Sequence, residues 1–298
     1  MRDLSAFNRR ISAKAGTDAA LRSLADDLGS GDSTSNAVLG GVGQKPLFAF
    51  IRANSAGVLC GAGEALAVFS ASGVNATPLL AEGREFRKGA KLLSLRGPAK
   101  GILAAERTAL DYLMVLSGVA TASRRLANKF GRRVAATRKT HPGMSASEKR
   151  AVQIGGGLSH RHSLCDAILI KDNYVGVVSR MEGLSYIGAL KLAVERAVEF
   201  RRRNGGVGFV EAEARNLQEA VVAANAGADA VLLDNMSVRQ VRAAVAVLRR
   251  IRKRVVIEAS GGITEKNAGR YLACGVDFVS MGLLTLASKP VDMSLDLV

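Results

Sequence analysis

A chain of 298 residues, 48% apolar and with a formal net charge of +16, has room for one large α/β domain plus a smaller one and buries a sizeable core. Its apolar content excludes intrinsic disorder. No 18-residue apolar span occurs and the opening MRDLSAFNRRISAKAG has no apolar h-region, so the sequence predicts a soluble, cytoplasmic protein with no membrane partner. The basic charge suits either a nucleic-acid face or a cleft for phosphorylated or carboxylated small molecules. Aromatics are 4% with no Trp, and no helix-turn-helix, zinc-finger or RNP-type motif occurs, which favours the cleft. Cys60, Cys165 and Cys274 form no CxxC pair and read as reduced intracellular thiols.

In chain order, residues 1–36 begin with a weakly amphipathic helical segment and end in the turn-rich GSGDSTSN. PLFAFIRANSAGVLCG at 46–61 alternates like strand, turn, strand. Glu64 to Ser70 reads as a short helix, and residues 77–103 carry turn signals at Glu82-Gly83, Lys88-Gly89 and Gly97-Pro98. Residues 1–105 are therefore expected to form a small α+β domain.

From Glu106 the pattern changes to helices alternating with short apolar strands: VAAT (134–137), AILI (167–170), VGFVEAE (207–213), AVLL (230–233), VVIEA (255–259) and FVSM (278–281). Asn216 with Glu219 and Ser237 with Gln240 read as capping boxes, Gly227 as a helix stop, and Thr264 and Gly275 as the ends of another helix. A helix near 189–203 ends in Arg201–Arg203, which suits a solvated C-terminus. Strand–helix alternation means parallel strands with right-handed crossovers. Each strand ends in a polar or glycine signature, and such ends converge on one mouth in a barrel, whereas an open sheet concentrates function at a switch point. The expected fold is an incomplete α/β barrel over 106–283, with six or seven strands.

The strand ends carry the candidate chemistry. All three histidines fall between Val134 and Asn173, among Arg138, Lys139, Arg161 and Lys171, which marks a polyanion pocket. Ser260-Gly261-Gly262 and Gly282 stand after the last strands, where glycines let backbone N–H groups approach a phosphate. Glu213 and Asp234 end adjacent strands; they suit Mg²⁺ on a diphosphate or a developing cation, or else simply balance the nearby cations. Lys171 suits a Schiff base or anion binding. His160-x-His162 lacks a third ligand at metal-site spacing. These residues predict an enzyme acting on a phosphorylated sugar and a separate carboxylated partner.

The chain resembles the quinolinate phosphoribosyltransferase family nearly end to end. The motifs are GDSTS (31–35), GVLCG (57–61), ERTALDYLMVLSGVAT (106–121), TRKTHPG (137–143), EKRAVQIGGGLSHR (148–161), LIKDN (169–173), EAEARNLQEA (211–220), LLDNM (232–236), EASGGIT (258–264) and VDFVSMG (276–282). The resemblance implies an N-terminal α+β sandwich domain joined by the C-terminal segment at about 284–298, and a seven-stranded incomplete α/β barrel. It implies transfer of phosphoribose from phosphoribosyl diphosphate to quinolinate with decarboxylation, in NAD biosynthesis. It also implies a homodimer, or a hexamer built from dimers, with Arg107 reaching the partner's site. Thr137, Arg138, Lys139, His160 and Arg161 would line the quinolinate side. Lys171, Glu213 and Asp234 would face the ribose and diphosphate with Mg²⁺, and Ser260, Gly261, Gly262 and Gly282 the 5′-phosphate. Lys139 is the candidate to assist protonation after decarboxylation. Four positions depart from the family's usual pattern: Met144-Ser145 for Leu-Arg, Ser159 for Asn, and Tyr174 for His. The alternatives are a homologue of changed base specificity, including the paralogue associated with molybdenum transport, and a barrel-derived nucleic-acid-binding protein.

Overall fold

The computed structural model describes residues 3–251 and 254–298. Its helices are α1 (Lys14–Leu28), α2 (Ser33–Leu39), α3 (Ala62–Ala71), α4 (Ala99–Phe130), α5 (Ser145–Gly155), α6 (Asp172–Glu182), α7 (Tyr186–Asn204), α8 (Leu217–Ala226), α9 (Val238–Leu248) and α10 (Ala268–Leu272). Its strands are β1 (Pro46–Ala53), β2 (Gly57–Val58), β3 (Asn75–Pro78), β4 (Glu85–Phe86), β5 (Lys91–Pro98), β6 (Val134–Ala136), β7 (Ile168–Ile170), β8 (Val210–Ala214), β9 (Ala230–Asp234), β10 (Val256–Ser260), β11 (Phe278–Met281) and β12 (Met293–Leu297). The chain forms two compact units, one of residues 10–129, 139–157 and 282–298, the other of residues 1–9, 130–138 and 158–281.

The first unit is built on an antiparallel sheet of order β12-β1-β5-β3. The alternation of β1 sets its register: Ala49, Ile51 and Ala53 are buried, with Ile51 opposite Leu93 on one side and Leu295 on the other. The C-terminal strand β12 thus returns to pair with β1. A second buried layer is ionic. Arg150 on α5 donates to both oxygens of the fully buried Glu64, at 2.8 and 2.7 Å, and to Glu82 Oε2 at 2.7 Å. Ser147 adds a bond to Glu64 Oε1, and Glu82 Oε1 accepts the amides of Gly61 and Ala62 at the start of α3, where a carboxylate meets the positive end of the helix. A Cβ at position 16 of α1 would run into Glu64 Oε1, so only glycine fits there.

The second unit holds a six-stranded sheet of order β6-β11-β10-β9-β8-β7, all neighbours parallel. Every strand expected between 134 and 281 forms. The seven-stranded expectation is not met among the described residues: beside β6 only Leu158 makes a single parallel bridge to Ala135. The glycines at 155–157 and the SHRH string leave no room for a regular run of β-formers there. The boundary expected at 105/106 falls inside α4. Residues 3–9 belong with the parallel sheet because Phe7 stacks on Phe209 at 4.1 Å and tilts against Phe278 at 5.2 Å.

The helix ends follow their sequence signals closely. Ser237 and Gln240 form a reciprocal capping box, Asn216 accepts the Glu219 amide, and Gly227 takes the left-handed conformation at the end of α8. Thr264 does not open a helix: its amide donates to Asn267, which becomes the N-cap of α10. The basic end of α7 is largely paired, Arg202 and Arg203 with Glu199, and Arg201 with Asp229. No helix among the described residues is long and apolar enough to cross a membrane.

Candidate active site

Strand periodicity decides which side chains meet. In β8 the sequence VEAEA puts Glu211 and Glu213 on one face, two residues apart. The parallel register sets Glu211 beside Ala230 and Glu213 beside Leu232 of β9, and Leu232 and Asp234 beside Glu258 and Ser260 of β10. One face of the sheet therefore carries an outer tier, Glu213, Asp234 and Ser260 toward the strand ends, and an inner tier, Glu211 and Glu258, each two residues earlier in its strand.

The outer tier is a mixed-charge edge. Glu213 is half-buried, and its carboxyl is raised above the usual range by burial and by Asp234, with Lys171 opposing. Lys171 is exposed at the N-cap of α6, the setting of an anion-binding amine and not of the desolvated amine a Schiff base uses. Asp234 is held by Asn235, whose amide group donates at 2.7 Å and whose backbone N–H bonds Ser260 at 3.0 Å. Asn235 lies in the left-handed region at φ 52°. Gly261 (φ 87°) and Gly262 (φ 58°) follow β10, and a Cβ on Gly261 would come within 2.7 Å of the Asn235 backbone nitrogen. The glycine is needed for both conformation and space.

The cationic end of the edge is Arg138, exposed beyond β6, and Arg161. Arg161 is 5% exposed, and burial together with Arg138 lowers its pKa. Of its guanidinium nitrogens, Nη1 donates to Ala167 O at 3.3 Å, while Nε is buried without a partner among the described residues. Buried polar groups are nearly always satisfied, so two crowded cations with a free donor form a site that wants an anion. Tyr174, where the resemblance leads one to expect His, also lies near Arg161.

The inner tier was not singled out in the sequence. His160 Nε2 lies 2.9 Å from Glu211 Oε2 and 3.0 Å from Glu258 Oε2. The Arg161 amide donates to His160 Nδ1 at 2.8 Å, so that nitrogen is bare and the ring is the Nε2–H tautomer. Phe7, Phe209 and Phe278 surround the imidazole edge-on at 5.5, 5.5 and 6.1 Å. His160 itself sits at φ 55°, a conformation that costs a non-glycine residue about 1–3 kcal/mol. Burial and Glu258 push Glu211 up to about 7, and the carboxylates raise His160 to about 9 against desolvation. An imidazolium with two carboxylates and a neutral imidazole with one protonated glutamate carry the same net charge. The amide on Nδ1 selects the second arrangement. The missed signal was the alternation of VEAEA and VIEAS, which faces Glu211 and Glu258 inward with Glu213 and Ser260.

Of the remaining sequence candidates, Thr137 is half-buried just past β6. Arg107, Lys139 and Gly282 belong to the other unit. Arg107 is exposed on α4, 3.4 Å from Asp111. The Lys139 carbonyl accepts the buried Thr285 hydroxyl at 2.7 Å and the Leu286 amide at 3.2 Å, and Gly282 follows β11 directly. His162 pairs with Asp166 at 2.7 Å, away from the His160 cluster's carboxylates.

A parallel α/β half-barrel with paired cations and paired carboxylates along its strand ends is the architecture of an enzyme for anionic substrates. The family description "Quinolinate phosphoribosyl transferase, C-terminal domain" matches residues 119–296, and the corresponding N-terminal domain matches residues 32–117. The chain is 38% identical over 261 residues to the human nicotinate-nucleotide pyrophosphorylase (carboxylating), covering 86% of this chain and 84% of that protein. It is 38% identical over 287 residues to a probable nicotinate-nucleotide pyrophosphorylase (carboxylating) of Methanocaldococcus jannaschii, covering 93% and 95%. The solved nicotinate-nucleotide pyrophosphorylase of Francisella tularensis superposes with a TM-score of 0.80 at 31% identity, covering 97% of this chain and 98% of that one. The chain belongs to the quinolinate phosphoribosyltransferase family.

Proposed function

We propose that this chain transfers phosphoribose from phosphoribosyl diphosphate to quinolinate with decarboxylation, forming nicotinate mononucleotide, diphosphate and CO₂ in NAD biosynthesis. The observation that carries the reading is Arg161, buried beside Arg138 with an unpartnered Nε, on the same sheet edge as Glu213, Asp234 and Lys171. The two arginines take the pyridine carboxylates and orient the ring nitrogen, with Thr137 and Lys139 around them and His160 behind Arg161. The nitrogen lone pair attacks ribose C1 as the C1–O bond breaks toward diphosphate. Glu213 and Asp234 stabilise the positive charge that develops on the ribose, and Lys171 the departing diphosphate. The glycines at 261, 262 and 282, with Ser260, hold the 5′-phosphate by backbone N–H groups.

After transfer, the bond from ring C2 to its carboxylate breaks, CO₂ leaves, and the electron pair left on C2 takes a proton that Lys139 helps deliver. Glu213 and Asp234 are all-oxygen donors facing one another's charge, a set that fits Mg²⁺ completed by diphosphate and water oxygens. Glu213 and Asp234 would hold the ion, which would supply charge neutralisation for the leaving diphosphate. A pair of chains shares its sites, Arg107 reaching the partner's, and the enzyme works in the cytoplasm.

The assay supplies quinolinate, phosphoribosyl diphosphate and Mg²⁺ and measures CO₂ and nicotinate mononucleotide. Turnover of a different base with none of quinolinate overturns the substrate assignment. For the shared site, mixing inactive Arg107→Ala and Lys171→Ala chains restores activity; continued inactivity after demonstrated subunit exchange refutes it.

A further inference from the structure

The binding and transfer steps make no use of Glu258 or Glu211, yet the fold buries both carboxylates under three phenyl rings with an imidazole between them. We infer that Glu258, together with Glu211, is a positioning residue for Arg161, acting through His160. Glu258 holds the imidazole by its Nε2–H, with Glu211 Oε2 2.9 Å away, the bare Nδ1 holds the Arg161 amide, and the amide fixes the backbone from which the guanidinium projects. The inference rests on the reading of Arg161 as a cation for the pyridine dicarboxylate.

Three features of the geometry carry it. The hydrogen-bond chain is continuous: Glu258 Oε2 to Nε2 at 3.0 Å, then Nδ1 to the Arg161 amide at 2.8 Å. The backbone it fixes is strained at the residue just before the cation, at φ 55°, and is pinned from the other side by His160 N–H donating to Phe7 O at 2.8 Å. A strained conformation persists only where its surroundings over-determine it. The Arg161 side chain, by contrast, has one long bond to Ala167 O to hold it among the described residues, and it is crowded by Arg138. Its aim is therefore set by its backbone.

The same three donor atoms, within 4.8 Å of one another, resemble a metal site. The 3.0 Å contact from Nε2 to Glu258 Oε2 is a hydrogen bond, which needs a proton on Nε2 where a metal site needs an ion.

The test has two arms. In the full-length wild-type chain with ¹⁵N-labelled histidine, the His160 signal, identified by its loss in His160→Gln, should show a protonated Nε2 and a bare Nδ1. An Nδ1–H tautomer, an imidazolium, or a divalent ion on Nε2 overturns the inference. In kinetics, Glu258→Leu should raise the quinolinate KM at least about ten-fold, the scale of one hydrogen bond to a charged group. The phosphoribosyl diphosphate KM should stay within about two-fold. Glu258→Gln keeps an acceptor and should restore most of the loss. In an Arg161→Ala background Glu258→Leu should add nothing further. Unchanged KM values with a lowered Tm alone, or a full additional loss in that background, overturn the inference. If Glu258→Leu does not fold, the kinetics of Glu258→Gln and the imidazole spectrum decide. A wild-type chain that turns over no quinolinate defeats the proposed function, while the spectrum still decides the hydrogen-bond chain.

Discussion

Two buried ionic clusters, one in each unit, are built from the same residue types and behave differently. Around Arg150, all four oxygens of Glu64 and Glu82 accept hydrogen bonds, from Arg150, Ser147 and two amides at a helix start, and only Arg150 Nε lacks a partner among the described residues. Around His160, neither Glu211 oxygen has a hydrogen-bond partner among the described residues, and the neighbouring backbone is strained. A buried charge is tolerated when its partners are complete. The first cluster is architecture, fastening α5 to the loops around α3. The second leaves acceptors unmet directly beneath a cation of the site, the pattern of a cluster kept for what it positions.

That contrast breaks most readily at Arg150. Replacing it with Met strands Glu64 and Glu82 in the core and should cost about 3–5 kcal/mol in urea unfolding, with the quinolinate KM of the folded fraction unchanged. A shifted KM would erase the distinction between the clusters. Gly261→Ala, at the site edge, should cost about 1–3 kcal/mol from strain and crowding against Asn235. It should raise the KM for phosphoribosyl diphosphate by more than its effect on stability explains. Glu211→Gln replaces an unsatisfied acceptor by an amide that donates toward Glu258, so its stability should lie within about 1 kcal/mol of wild type. A loss as large as that of Arg150→Met would show that the inner cluster is also purely structural.

The smallest effect sharpens the comparison through pH. Glu148 on α5 is fully buried, and burial raises its carboxyl above the ordinary 4.5 even though His141 pairs with it. A raised folded value means that the stability contributed by the neutral carboxyl is complete below the unfolded value and is lost as pH climbs through the folded one. Relative to Glu148→Gln, the wild type should therefore lose stability as pH rises above 4.5, measured as the difference between urea midpoints. A difference that grows in favour of the wild type would mean that the His141 pair outweighs desolvation.

Most of the architecture was written in local pattern. The six strands from Val134 to Met281 announce themselves as short apolar runs, and Ser237–Gln240 and Asn216 mark helix starts, because these signals act over a few residues. Glu213, Asp234, Lys171 and the 260–262 glycines stood out as polar ends of apolar runs, and Arg138 and Arg161 as members of recognisable motifs. What sequence did not yield depends on contacts between distant segments. Phe7 reads as part of an N-terminal helix, but its stacking on Phe209 places residues 3–9 with the parallel sheet. The seventh strand shrinks to the bridge at Leu158. His160 reads as one more cation in a basic string, and only tertiary structure turns its ring between Glu211 and Glu258, 51 and 98 residues away in sequence. Sequence by itself determined the alternation of strands and helices and the charged strand ends, since backbone propensity and periodicity are local, and its motifs carried the family resemblance. Tertiary structure alone decided which charges are buried together and which remain unmet, since register and packing bring those side chains within hydrogen-bond reach.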